Sequence, residues 1–211
     1  SYEIIVIDDV SRDHSVERVS AFMASHPDLP VTLRVNERNR GLANNYIEGA
    51  FMGRGRYYRL CCGDNPEPGD SLAALFSHVG KADMILAYHN QDEIKGKHYM
   101  RKRISRLFTW LVNTISGYKI KYYNGSAIHL RYNVMRWHPS SYGFGFQADI
   151  VTTLLDEGVS YMQVPVRGAI DRKGRGSTSI NLRNFLSVSH TLLEIAFRRI
   201  RRMMYGRTMP K

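Results

Sequence analysis

Apolar residues fall along this chain in short continuous runs that alternate with helically spaced ones. Ile4, Ile5, Val6 and Ile7 form an unbroken run, the pattern of a strand buried on both faces. Val16, Val19, Phe22 and Met23 follow at helical spacing, and Val31–Val35 reads as a second strand closed by the polar residues 36–40 and by Gly41. Residues 42–53 then read as helix, 57–62 as strand, 72–79 as helix and 84–88 as strand. Strands separated by helices predict an α/β domain, a mostly parallel sheet with helices on both faces. Ligands of such sheets bind at the carboxyl ends of the strands. The acids of the first half lie at those ends: Asp8 and Asp9 close one strand, and Gly63-Asp64-Asn65 closes another.

The second half is patterned differently. Ile104, Leu107, Phe108, Leu111, Val112 and Ile115 form one face of an amphipathic helix. Residues 120–130 read as a strand, 146–155 as a helix and 161–166 as a strand, followed by a Gly/Arg/Ser loop over 171–179. A last amphipathic helix from Leu182 to about Met204 carries Phe185, Val188, Leu192, Leu193, Ala196 and Ile200 and ends in arginines. No repeat or low-complexity linker interrupts this order. The expected division is one domain over 1–180 and a basic amphipathic helix over 181–211.

Composition adds one thing to that picture. With 43% hydrophobic and 11% aromatic residues the chain is neither disordered nor fibrous, but it carries 30 Lys+Arg against 19 Asp+Glu, a net +11. Residues 95–106 hold six basic side chains and no acid, and residues 198–211 hold six more, again with no acid. The rest of the chain is therefore close to neutral. Two solvated helix faces would account for such runs; a polyanionic partner would account for their segregation. Cys61 and Cys62 are adjacent, unsuited to an ordinary disulfide with each other, and lack metal-ligand spacing. No stretch is apolar enough to span a bilayer. The chain begins at Ser1 and enters a strand almost at once, so further residues are expected upstream.

Several segments resemble, in order, those of a known family. Residues 4–13, with Asp8-Asp9-Val10-Ser11-Arg12-Asp13, resemble the V-D-D-G-S-x-D segment of family-2 glycosyltransferases of the GT-A fold, and Asn39-Arg40-Gly41-Leu42 resembles their N-x-G-L segment. Phe146-Gln147-Ala148-Asp149, Val164-Pro165-Val166 and the run from Asp171 to Ser177 resemble the F-Q-x-E, V-P-I and D-R-x-x-G-E-S segments of polyprenyl-phosphate glycosyltransferases. The resemblance implies a Rossmann-like GT-A sheet whose first strand, the one ending P-x-Y-N-E, is missing from this sequence. It also implies a nucleoside site at Asp9 and Asp8, lined by Arg40 and Gly41, although an acid pair after a strand also caps helices. Mg²⁺ or Mn²⁺ would sit at Asp64 with Asn65, Glu67 being a further oxygen donor nearby; the family's second carboxylate is absent here.

The acceptor follows from the same segments. A phosphate monoester is largely dianionic at neutral pH, its second pKa being about 6, and attacks without a general base if cations position it. Arg172 and Ser177, assisted by Arg101 or Arg103, are the expected phosphate ligands. A hydroxyl acceptor would instead need a carboxylate base, for which Asp149 is the candidate. Where the family has an acid and an arginine this chain has Tyr123 and His129, the latter more simply a core histidine, and Val10 replaces the usual glycine.

The expected function is therefore inverting transfer of a hexose from a nucleotide diphospho-sugar (GDP-mannose or a UDP-sugar) to a polyprenyl phosphate at the cytoplasmic face of an anionic membrane. Attachment would be peripheral, or integral if spanning helices lie beyond this sequence. The catalytic candidates are Asp64 and Asp149. Transfer to a hydroxyl of a lipid or polysaccharide, and a non-catalytic nucleotide-sugar-binding module, are the alternatives. No nucleic-acid partner is expected, and the oligomeric state is open.

Overall fold

The structure is a computed structural model that describes residues 1–63, 67–89, 99–139, 143, 145–167 and 182–206, apart from the side chains of residues 99–101, 182 and 183. Its elements follow the alternation read above: β1 (Ile4–Asp8), α1 (Ser15–Ser25), β2 (Val31–Val35), α2 (Leu42–Met52), β3 (Tyr57–Arg59), α3 (Gly69–Phe76), β4 (Met84–Tyr88), α4 (Tyr99–Ser116), β5 (Ile128–Leu130), α5 (Arg131–Met135), α6 (Phe146–Asp156), β6 (Tyr161–Pro165) and α7 (Leu182–Tyr205).

The strands form two ladders. β1 pairs with β2 in parallel, Ile4 opposite Val31 and Asp8 opposite Val35. The other ladder has the order β3-β5-β4-β6; β4 and β6 are parallel, and β5 runs against both its neighbours. β1 and β3 do not pair with each other. β1, an apolar run expected to be buried on both faces, is only half-buried along most of its length.

Three expected elements differ, each for a local reason. The strand expected over 120–130 shrinks to Ile128–Leu130 because side chains satisfy the backbone before it. Asn113 of α4 accepts from Ile120 N–H at 3.1 Å and donates to Ile120 C=O at 2.9 Å, while Gln163 accepts from Lys121 N–H at 2.7 Å and donates to Lys119 C=O at 3.2 Å. β3, expected to reach residue 62, ends at Arg59, where its partner strand also ends: Arg59 pairs with Ile128, the first residue of β5. α3 starts earlier than its apolar spacing suggests, at the Pro68 N-cap with Asp70 in its first turn, and a turn through Gly80 (φ 93°) follows it.

The main core lies between the four-stranded ladder and helices α2, α4, α6 and α7, around Tyr46, Met84, Val112, Tyr123, Ile150, Leu154 and Ile195. α7 docks on this body through buried Thr191 and Ile195. Its outer side leaves Phe185, Leu186, Leu193, Phe197 and Ile200 exposed, as α4 does Ile104, Leu107 and Trp110. No helix among the described residues is long and apolar enough to cross a membrane.

Candidate active site

The register of β1 against β2 brings their carboxyl ends side by side, and the loops that leave them are tied together by one carboxylate. Asp9 Oδ1 accepts from Arg40 N–H at 2.8 Å and from Asn36 Nδ2 at 2.9 Å, and Oδ2 accepts from Gly41 N–H at 2.9 Å. Asn39 Nδ2 donates to the Asp9 carbonyl at 3.2 Å. Burial acts to raise the Asp9 pKa, but the donors from Arg40, Asn36 and Gly41 outweigh it and hold the carboxyl below its ordinary value. Both oxygens of the carboxylate are thus engaged by N–H donors from the loop after β2.

Asn36 extends the network inward. Its Nδ2 donates to both Asp9 and Asn45 Oδ1 of α2, the latter at 2.9 Å, and its backbone N–H donates to Asp8 C=O at 2.9 Å. A carboxylate can only accept, so this arrangement fixes which way the Asn36 amide faces.

Asp8 is buried and shapes its own loop, with Oδ2 accepting from Val10 and Ser11 N–H, both at 3.1 Å. That turn holds Val10 at φ 68°, a left-handed conformation costly for a β-branched residue. Val10→Gly is therefore expected to stabilise the chain by about 1 kcal/mol, read as a raised midpoint in urea. Gly41 meets the same demand without strain: its φ is 79°, and it caps α2 while presenting its N–H to Asp9. The Arg40 guanidinium turns away to Glu48, which Arg34 also engages at 3.1 Å, so Arg40 contributes backbone rather than charge to the loop.

A second group lies at the ends of β3 and β4. Arg59, almost wholly buried, places Nη2 at 2.6 Å from both carboxylate oxygens of Glu67 and Nη1 at 3.3 Å from Cys61 Sγ. Glu67, a nearby oxygen donor by sequence, thus has a guanidinium partner. His89 follows β4 and packs against Tyr122 with the rings tilted at 57° and their centroids 4.5 Å apart; burial lowers its pKa, and Glu67 opposes that. Neither cysteine forms a disulfide. Among the described residues no group of three or more His, Cys, Asp or Glu could hold a metal ion.

The acidic residue of α6 has a different setting. Asp149 is 1% exposed, and its Oδ1 lies 2.7 Å from Nη1 of Arg198 on α7. The same guanidinium reaches Asp156 at 3.1 Å and Thr152 Oγ1 at 2.5 Å, Arg202 also pairs with Asp156, and Tyr118 donates to Asp156 at 2.9 Å. Two arginines of the C-terminal basic cluster therefore face inward.

The structure thus brings Asp8, Asp9, Arg40 and Gly41 together, and sets Asp149 apart from them against α7. Arg103 lies exposed on α4. Asp64, Asn65, Arg172 and Ser177 lie outside the described residues, as does the Arg101 side chain. Sequence reasoning did not single out Asn36, Asn45 or Arg59. Asn36 directly follows an apolar strand, a position that could have marked it; Asn45 and Arg59 sit inside elements and carried no signal of their own.

The glycosyl transferase family 2 model matches residues 1–138. The dolichol-phosphate mannosyltransferase of Saccharomyces cerevisiae is 31% identical over 77 residues, which is 36% of this chain and 28% of that protein. The match therefore spans well under a third of the relative's length. Among solved structures, glucosyl-3-phosphoglycerate synthase from Mycobacterium tuberculosis in complex with Mn²⁺, UDP and phosphoglyceric acid superposes with a TM-score of 0.66 at 16% identity, covering 99% of this chain and 69% of that one. The same synthase with Mn²⁺, UDP-glucose and phosphoglyceric acid gives 0.59 at 15% identity, covering 92% and 67%. At such identities these two superpositions speak for the GT-A fold alone. Together with the family match and the ordered motifs, they make this chain a member of glycosyl transferase family 2.

Proposed function

We propose that this chain is the catalytic domain of an inverting glycosyltransferase. It would move a hexose from a nucleotide diphospho-sugar, GDP-mannose or a UDP-sugar, to a polyprenyl phosphate at the cytoplasmic face of a membrane. In this reaction an acceptor phosphate oxygen bonds to the anomeric carbon as the bond to the diphosphate oxygen breaks, and the nucleoside diphosphate leaves. Asp9 and Asp8 hold the nucleoside, with the Arg40 and Gly41 backbone closing its pocket. Arg172 and Ser177, with Arg101 or Arg103, hold the acceptor phosphate. A dianionic phosphate needs no base; Asp149 would be needed only for a hydroxyl acceptor, and its burial against Arg198 favours the phosphate.

Residues 64 and 65 are the candidate holders of a divalent cation; among the described residues no group of three or more His, Cys, Asp or Glu could take one. Glu67 is engaged by Arg59, while the Asp64 carboxylate and an Asn65 carbonyl are hard oxygen donors of the kind Mg²⁺ or Mn²⁺ takes, together with diphosphate oxygens. When bound, the cation would neutralise charge on the departing diphosphate.

The observation that carries the lipid half of this reading is the set of large apolar side chains left exposed on two helices that pack together, Ile104, Leu107 and Trp110 on α4 and Leu193, Phe197 and Ile200 on α7. Arg103 and Arg106, exposed on α4, suit an anionic surface. The test is release of UDP or GDP by the full chain with polyprenyl phosphate in anionic vesicles. Lipid-phosphate-dependent release is expected, and no turnover with any sugar nucleotide overturns the proposal. Leu107→Glu with Phe197→Glu should weaken vesicle binding by at least about a hundredfold, with nucleotide binding unchanged.

A further inference from the structure

Arg59 is the last residue of β3, and its side chain is only 4% exposed. Its Nη2 lies 2.6 Å from both carboxylate oxygens of Glu67, and its Nη1 donates to Cys61 Sγ at 3.3 Å. An ion pair drawn out of water adds little to stability, because desolvation offsets the attraction. This one carries a further cost: Arg59 Nε is buried with no hydrogen-bond partner among the described residues. Stability alone therefore does not account for the pair.

Its place in the chain does. Arg59 and Glu67 flank the segment that carries residues 64 and 65, the candidate cation holders. At the near end Leu60 packs on the main core, and at the far end Pro68, directly after Glu67, caps α3. Between these anchors Cys61, Cys62 and Gly63 are exposed, and a Cβ on Gly63 would meet nothing within 4 Å. One guanidinium thus links the start of the segment, at Cys61, to its end, at Glu67.

We propose that Arg59 and Glu67 are positioning residues, whose ion pair sets the span across which Asp64 and Asn65 present oxygens to a divalent cation. The inference rests on the proposed function, which puts Mg²⁺ or Mn²⁺ at those two residues, and deepens it. The sign of the effect separates positioning from simple charge. By charge alone, loss of the Arg59 cation tightens the hold on a divalent ion and frees the Glu67 carboxylate to join it, whereas loss of Glu67 loosens it. Positioning requires that both losses loosen it.

The test measures Mn²⁺ binding to the full chain, with UDP or GDP present, from the paramagnetic resonance of the free ion. Arg59→Met and Glu67→Gln should each raise the Mn²⁺ Kd about tenfold or more, the usual effect of removing a group that orients a metal ligand. The double variant should bind no worse than the weaker single variant, since either change opens the same pair. Arg59→Lys keeps a cation for Glu67 but has no second nitrogen for Cys61, so its Kd should fall between those of the parent and Arg59→Met. Metal-free affinity for UDP or GDP should stay within about twofold of the parent in every variant, because the Asp9 clamp is built from other elements. Tighter or unchanged Mn²⁺ binding in Arg59→Met overturns the inference. Weakening confined to Glu67→Gln also overturns it, by making Glu67 itself a ligand of the ion. A parent chain that binds nucleotide without Mn²⁺ overturns the cation in the proposed function and the inference with it, and one that binds no nucleotide overturns the proposed function as a whole.

Discussion

Arg198→Met is expected to destabilise the chain by about 3–5 kcal/mol, the cost of removing an ionic partner from a buried carboxylate. The guanidinium is shared by Asp149, Thr152 and Asp156, so its removal disturbs the whole seam between α6 and α7. Asp149 bears most of the loss, being the most deeply buried of the three charged groups. Asp156 keeps Arg202 and Tyr118. Replacing both partners with apolar residues removes the uncompensated charge, so Arg198→Met combined with Asp149→Leu should return to within about 1–2 kcal/mol of the parent. Urea unfolding of the parent, the two single variants and the double variant measures the cycle. Additive losses would show that the pair is not coupled.

Asp9→Asn is the second large effect, and it falls on ligand binding as well as stability. An amide in place of the carboxylate turns an NH₂ toward the N–H groups that Asp9 accepts, so the loops after β1 and β2 lose their tie. The expected cost is about 2–4 kcal/mol, with nucleoside diphosphate affinity, on the proposed function, reduced at least about tenfold because the loops that form the clamp are no longer held together. The pH dependence has a definite sign. The folded-state pKa of Asp9 lies below its unfolded value, so this stabilisation is fully present above about pH 4 and is lost as pH falls through the folded pKa. Thermal melts from acid to neutral pH should show parent and Asp9→Asn converging at the acid end; a constant gap would refute the assignment.

Much of this was legible in the sequence, for reasons tied to particular residues. β2 and β4 fell at the expected residues because turn signals bound them on both sides, and of the helices that contribute to the main core α4, α6 and α7 were found by their apolar spacing. The Asp9 loop was visible as two acids after an apolar run, with Gly41 marking its other half. The strand expected over 120–130 was misjudged because Asn113 and Gln163, distant in sequence, take the place of ladder partners. α5 has too few residues to show a period. The inward turn of Arg198 and Arg202 was hidden because a charge run looks the same whether its arginines face solvent or a buried acid. Val10, by contrast, was conspicuous as a departure from glycine, and it adopts the left-handed backbone that glycine would have taken freely.

The tie between the loops after β1 and β2 has a consequence for local order. The β1–β2 pair is held by α2, by Glu3 gripping the N–H groups of Arg54 and Gly55, and by its own loops. β4 is buried along most of its length and β1 and β2 are not, so amide protons of β1 and β2 should exchange through a smaller, sub-global opening than those of β4. The Asp9 clamp belongs to that less protected unit. A ligand that stitches the clamp shut would raise protection there first, making the loops after β1 and β2 the part of the molecule whose order depends on what they bind.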